Sequence, residues 1–131
     1  MDRAPDDTTT SQTDEETMLR DVLDRWKSAV DAHEPERVAA VFTEDAIFQG
    51  LHPYTVGRQG VADYYASQPL GMKAGYQILQ TRSFGPDLVL GYLSVEFTFT
   101  DRPPLPVFLA VLAIRTPEGS RMAHYQVSNL G

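Results

Sequence analysis

Two residues in this chain have the types needed to pass a proton between them. Glu96 lies in Leu88 to Thr100, a stretch rich in β-branched and aromatic residues. Strand alternation puts it on one face with Tyr92, Ser94 and Thr98. His124 lies in the last such stretch, Arg121 to Ser128, where the same alternation groups it with Met122, Gln126 and Ser128. Two polar files on two strands would line a cavity. In an apolar pocket the charged form of a carboxylate is disfavoured, so its pKa rises. A histidine beside it titrates near neutrality. Glu96 and His124 are therefore the candidate acid–base pair, and Trp26, Phe42, Tyr54, Tyr65, Tyr92 and Gln126 are the candidate pocket lining.

Plainer readings stand beside these. His124 also fits a hydrogen-bonded core histidine. Glu96 also fits a solvent-facing acid, or one paired with Arg82 or Arg115 across strands. Trp26, Tyr64 and Tyr65 fit core packing. His52 reads as a loop residue and His33 as a partner of a helix end. An isomerase of the kind that enolises a ketone needs a carboxylate base plus a tyrosine and a protonated acid at the oxyanion. Tyr65 or Tyr54 could donate, but no second buried acid is evident, because Asp63 is expected to face water. The three histidines lack metal-site spacing, so no metal or other cofactor is expected. The chain has no cysteine nucleophile, GxSxG turn or glycine-rich phosphate loop.

The elements that must position these residues follow from periodicity. Residues 1–12 are polar and acidic and are expected to form a disordered tail. Thr13 and Glu16 have capping-box spacing, and Leu19, Val22, Leu23, Trp26 and Val30 recur at helical spacing to about His33. Glu34-Pro35-Glu36 starts a second helix bearing Val38, Val41 and Phe42. A short strand at Ala46-Ile47-Phe48 comes next, and a third helix runs from Gly57 to Gln68-Pro69. Four strands close the chain, over 76–83, 88–100, 106–116 and 121–128, with short turns that imply antiparallel neighbours. The expected fold is α+β, a curved antiparallel sheet over three helices. From Val107 to Ile114 both faces of a strand are apolar. One face covers the helices and the other asks for a partner, so a homodimer is expected.

The formal charge is −7, of which residues 1–17 carry −5. The rest is nearly balanced and has no basic stripe, so nucleic acid is not an expected partner. No apolar run reaches the ~18 residues of a membrane span. The acidic N-terminus does not read as a secretory signal, and the absence of cysteine fits a cytoplasmic protein.

Several strings resemble the nuclear transport factor 2-like superfamily, which includes SnoaL-like cyclases, ketosteroid isomerases and the kinase association domain. They are Trp26 in helix one, VFTEDAIFQG after helix two, VGRQGVADYY, and the terminal HYQVS. The last is similar to the association-domain ending of His, aromatic, His, any, Ser, with Gln126 in place of the second His. The resemblance makes 13–131 one domain with a cone-shaped sheet. GLHPYTVGRQGVADYYASQPLGM, FTFTDRP and HYQVSNL resemble members encoded in enediyne polyketide gene clusters. That likeness implies a hydrophobic polyketide or polyene ligand and association with a polyketide synthase. Three roles stay open: proton-transfer isomerisation, cyclisation or dehydration; non-catalytic sequestration; and assembly alone.

Overall fold

In the computed structural model the backbone is described for residues 3–129 and the side chains for residues 14–129. Helix α1 spans Arg3–Asp31. It starts ten residues before Thr13, so the tail expected through residue 12 is helical from Arg3. Pro5 lies in the first turn, where a missing N–H breaks no helical bond. Thr13 and Glu16 sit inside the helix instead of capping it, and Glu16 pairs with Arg20 at 3.4 Å. The apolar stripe behaves as its spacing requires: Leu19, Val22, Leu23, Trp26, Ala29 and Val30 are all buried. His33, just beyond, turns the chain with φ 52°, a left-handed helix terminator.

Helix α2 (Pro35–Ala39) is followed by β1 (Phe42–Gln49), β2 (Thr55–Val56) and α3 (Arg58–Ala66). Phe42 thus opens a strand and does not end a helix. The remaining strands are β3 (Lys73–Ser83), β4 (Leu88–Thr98), β5 (Leu105–Thr116) and β6 (Gly119–Ser128). All six form one sheet in the order β2-β1-β6-β5-β4-β3. The sheet is mixed, not antiparallel throughout, because β1 runs parallel to β6. Short turns dictate antiparallel hairpins only from β3 to β6; β1 reaches β6 through the whole intervening chain. Register shifts in β1, β3 and β6 bend the sheet around the helices.

Three polar anchors fix α1 to the sheet. Arg25 Nη2 donates to the Ser120 carbonyl at 2.5 Å. Lys27 Nζ donates to the Ala74 carbonyl at 2.6 Å, and Asp31 Oδ1 accepts from the Ala74 amide at 2.8 Å. Gly91 in β4 allows Leu19 to lie directly on the sheet; a Cβ there would meet Leu19 Cδ1 at 2.7 Å. No helix among the described residues is long and apolar enough to cross a membrane.

Candidate functional site

The inner face of the sheet carries Leu93, Val95 and Phe97 of β4 and Val107, Leu109, Val111 and Ala113 of β5, all buried. With α1 they enclose an aromatic cluster. Trp26 is fully buried, Tyr65 is 3% exposed and Tyr125 is 1% exposed. Phe48 stacks on Tyr125 with centroids 4.6 Å apart, and Phe42 meets both rings at 5.7 and 5.9 Å. Trp26 Nε1 donates to the Tyr65 hydroxyl at 3.1 Å, which lies 3.1 Å from the Tyr125 hydroxyl. Three donors thus share two oxygens. Trp26 can only donate, one proton joins the two phenols, and one O–H proton is left without an acceptor inside this cluster. Burial pushes the pKa values of Tyr65 and Tyr125 well above the ordinary tyrosine value. Tyr64 closes the cluster at the helix α3 side. Its hydroxyl accepts from the Leu51 amide at 3.3 Å, its ring meets His52 at 5.3 Å, and burial raises its pKa as well.

Glu96, His124 and Gln126 do not enter this interior. Among the described residues no Asp, Glu, His, Lys or Arg is buried. Glu96 and Gln126 are exposed and His124 is half-buried, all on the outer face. For β4 the alternation was read correctly and the face was inverted, because the apolar file Leu93–Val95–Phe97 takes the helix side. For β6 the alternation holds from His124 to Ser128, with its face inverted as well, and fails only at Met122. Leu112 pairs with His124 and Ala113 with Met122, so Ala123 is the extra residue of a bulge. The bulge lets Met122 and Tyr125, three apart, both point inward. The supposed pair is also widely separated. His124 shares a cross-strand row with Leu112 and Leu90, and Glu96 lies six residues further along β4. That is roughly 20 Å along the strand direction. The single cavity expected to hold Trp26, Tyr65, Glu96, His124 and Gln126 is therefore corrected to two separate environments.

The other lining candidates divide the same way. Trp26, Phe42 and Tyr65 meet in the interior, Tyr92 stands on the outer face in one row with Gln126, and Tyr54 is 64% exposed in the β1–β2 loop. Tyr125, Phe48 and Phe97 were missed. The bulge hid Tyr125, while Phe48 carried a usable signal as the apolar centre of a short strand.

One of several open concavities lies on the outer face, across β3, β4 and β5, with a volume of about 590 Å³. Its lining is mostly apolar, with Leu105, Pro106, Val107 and Phe108, and its polar groups include Gln77, Ser94 and Glu96. Gly75 and Pro106 flank Glu96 in one cross-strand row. The side chain missing at Gly75 makes the hollow: nothing lies nearer than 3.9 Å to where its Cβ would be. The Tyr92 and Phe108 rings lie parallel beside it, 4° apart in plane with centroids 5.8 Å apart. This volume and lining suit a small molecule. Among the described residues no group of three or more His, Asp or Glu is placed to hold a metal ion.

Residues 11–82, more than half of the chain, match the SnoaL-like domain. The chain belongs to this family. A search of curated proteins finds no significant match. Solved structures share the fold of this SnoaL-like protein. A ketosteroid isomerase-like protein from Erwinia carotovora atroseptica is similar at TM-score 0.75 and 20% identity, covering 88% of this chain and 95% of that one. A calcium/calmodulin-dependent protein kinase II association domain from Xanthomonas campestris, so described provisionally, reaches TM-score 0.77 at 14% identity, covering 86% and 85%. A domain with a cystatin-like fold from Nostoc punctiforme reaches 0.75 at 15%, covering 88% and 76%. The cystatin-like, nuclear transport factor 2-like α+β fold is thereby established.

Proposed function

We propose that this SnoaL-like protein is a cofactor-free, homodimeric binding protein for a hydrophobic small molecule. Its ligand lies in the outer groove of β3–β5. The observation that carries this reading is the groove itself, about 590 Å³ of mainly apolar lining with Gln77, Ser94 and Glu96 exposing unpaired polar groups to it. Binding is favoured over catalysis because Glu96 has no histidine near it and the interior holds no base. A polyketide or polyene ligand, a place in enediyne biosynthesis, contact with a polyketide synthase and a cytoplasmic location are parts of the proposal. Except for the location, they are supported by the sequence likeness of residues 50–72, 97–103 and 124–130. The homodimer is supported by the half-buried Leu90, Leu112 and Ile114 on the outer face beside the groove.

A titration with the neutral polyene 1,6-diphenylhexatriene, followed by fluorescence, tests the reading. Saturable binding is expected, weakened by Gly75→Leu, which fills the hollow, and by Phe108→Ala. Binding that ignores both changes but is lost in Tyr65→Phe would move the ligand to the interior and overturn the groove assignment. A second reading keeps the groove and makes Glu96 a lone general base for isomerisation, cyclisation or dehydration. Its motivating observation is that Glu96 is the one carboxylate in the lining. It requires Glu96→Gln to abolish turnover of a polyketide intermediate while binding persists.

A further inference from the structure

Among the described residues, Glu96 is the only side chain in the groove lining that carries a full charge at neutral pH. Its isolation has a structural cause. A strand carboxylate ordinarily finds a cation or donor directly across the strand. Here the two cross-strand neighbours are Gly75 and Pro106, which offer no side-chain donor. Lys73, opposite Thr98 and one row away, forms no salt bridge with it. Arg102 is taken by Asp101 at 3.1 Å and lies over the Phe99 ring. The Tyr76 hydroxyl, the other titratable group of the lining, donates to Asp24 at 2.5 Å.

The acid therefore faces the groove with its acceptor capacity unused, one row from the Phe108 ring. A carboxylate next to an aromatic face is a donor set for a cation, with the ring attracting it through its quadrupole and the acid through its charge. We infer that the groove selects an apolar ligand carrying an amine or ammonium group, with Glu96 as counter-ion and the Phe108 ring facing the cation. This rests on the groove being the ligand site, and it adds a ligand class that neither the fold nor the family supplies.

The test compares neutral 1,6-diphenylhexatriene with its trimethylammonium derivative on the full chain. The cationic probe should bind about fivefold more tightly at low salt, a typical sum for a partly exposed ion pair and a cation–π contact. The preference should shrink at about 1 M salt, where screening is nearly complete at contact range. Glu96→Gln should equalise the affinities of the two probes. Glu118→Gln removes the same charge at the β5–β6 turn and should preserve the preference. Equal affinities in the unaltered protein overturn the inference but not the groove. So does a preference that survives Glu96→Gln, since it would arise from the net charge of −7. Indifference of both probes to Gly75→Leu removes the groove and the inference together.

Discussion

The two faces of this sheet use the same residue types in opposite ways. On the inner face Trp26, Tyr65 and Tyr125 are tied to one another, and their polar atoms reach nothing else that is charged. On the outer face Glu96 and His124 lie far apart, and the stacked Tyr92 and Phe108 rings stand beside an open groove. In this chain packed aromatic rings fill the interior, and the open volume lies on the outer face.

The contrast can be broken most forcefully at Trp26. Trp26→Ala should destabilise by about 3–5 kcal/mol, measured by urea denaturation, because it opens a large hole in a close-packed cluster. The phenols come next. Tyr65→Phe removes two hydrogen bonds and leaves Trp26 Nε1 without its acceptor, at a cost of about 2–3 kcal/mol. Tyr125→Phe should cost only about 1 kcal/mol. It removes one bond and also the surplus O–H, so the number of unmatched donors stays at one. A larger loss for Tyr125→Phe than for Tyr65→Phe would mean that the spare proton has an acceptor.

The same groups set an alkaline limit. Burial raises the pKa values of Tyr65 and Tyr125 in the folded state above the ordinary tyrosine value of about 10. Between the unfolded and folded values the native chain holds more protons, so stability is full below about pH 10 and falls as pH rises above it. Tyr65→Phe should flatten that decline in denaturation series from pH 8 to 11. On the outer face, Leu112→Glu should convert a dimer to a monomer in light scattering while the isolated fold persists. Smallest of all, Glu96→Gln should shift stability by less than about 0.5 kcal/mol, as expected for an exposed residue without partners.

Most of the frame was legible because it depends on burial. The helical stripe from Leu19 to Val30 had only one way to bury its area, and the short turns between β3 and β6 set antiparallel hairpins. The pairing of β1 with β6 was not legible, since no local signal sets a parallel partner far along the chain. The bulge at Ala123 was equally hidden, for alanine fits either side of a strand and leaves no mark of an extra residue. That one position moved Met122 off the face it was expected to share with His124, Gln126 and Ser128. The polar file of Glu96 was expected to face a cavity within the cone. It faces outward because the apolar file Leu93–Val95–Phe97 takes the helix side.

The anchors of α1 carry a consequence for how such a domain can change over generations. Arg25, Lys27 and Asp31 hold main-chain atoms of Ser120 and Ala74, not side chains. At Ala74 the identity of neighbouring strand residues therefore does not enter those bonds, whereas Arg121 Nη1 shares the Ser120 carbonyl with Arg25. Lys73 and Gly75 can be exchanged without loosening the helix, as long as the strands stay where they are. The outer surface can drift toward new ligands or partners while the scaffold beneath it is inherited intact.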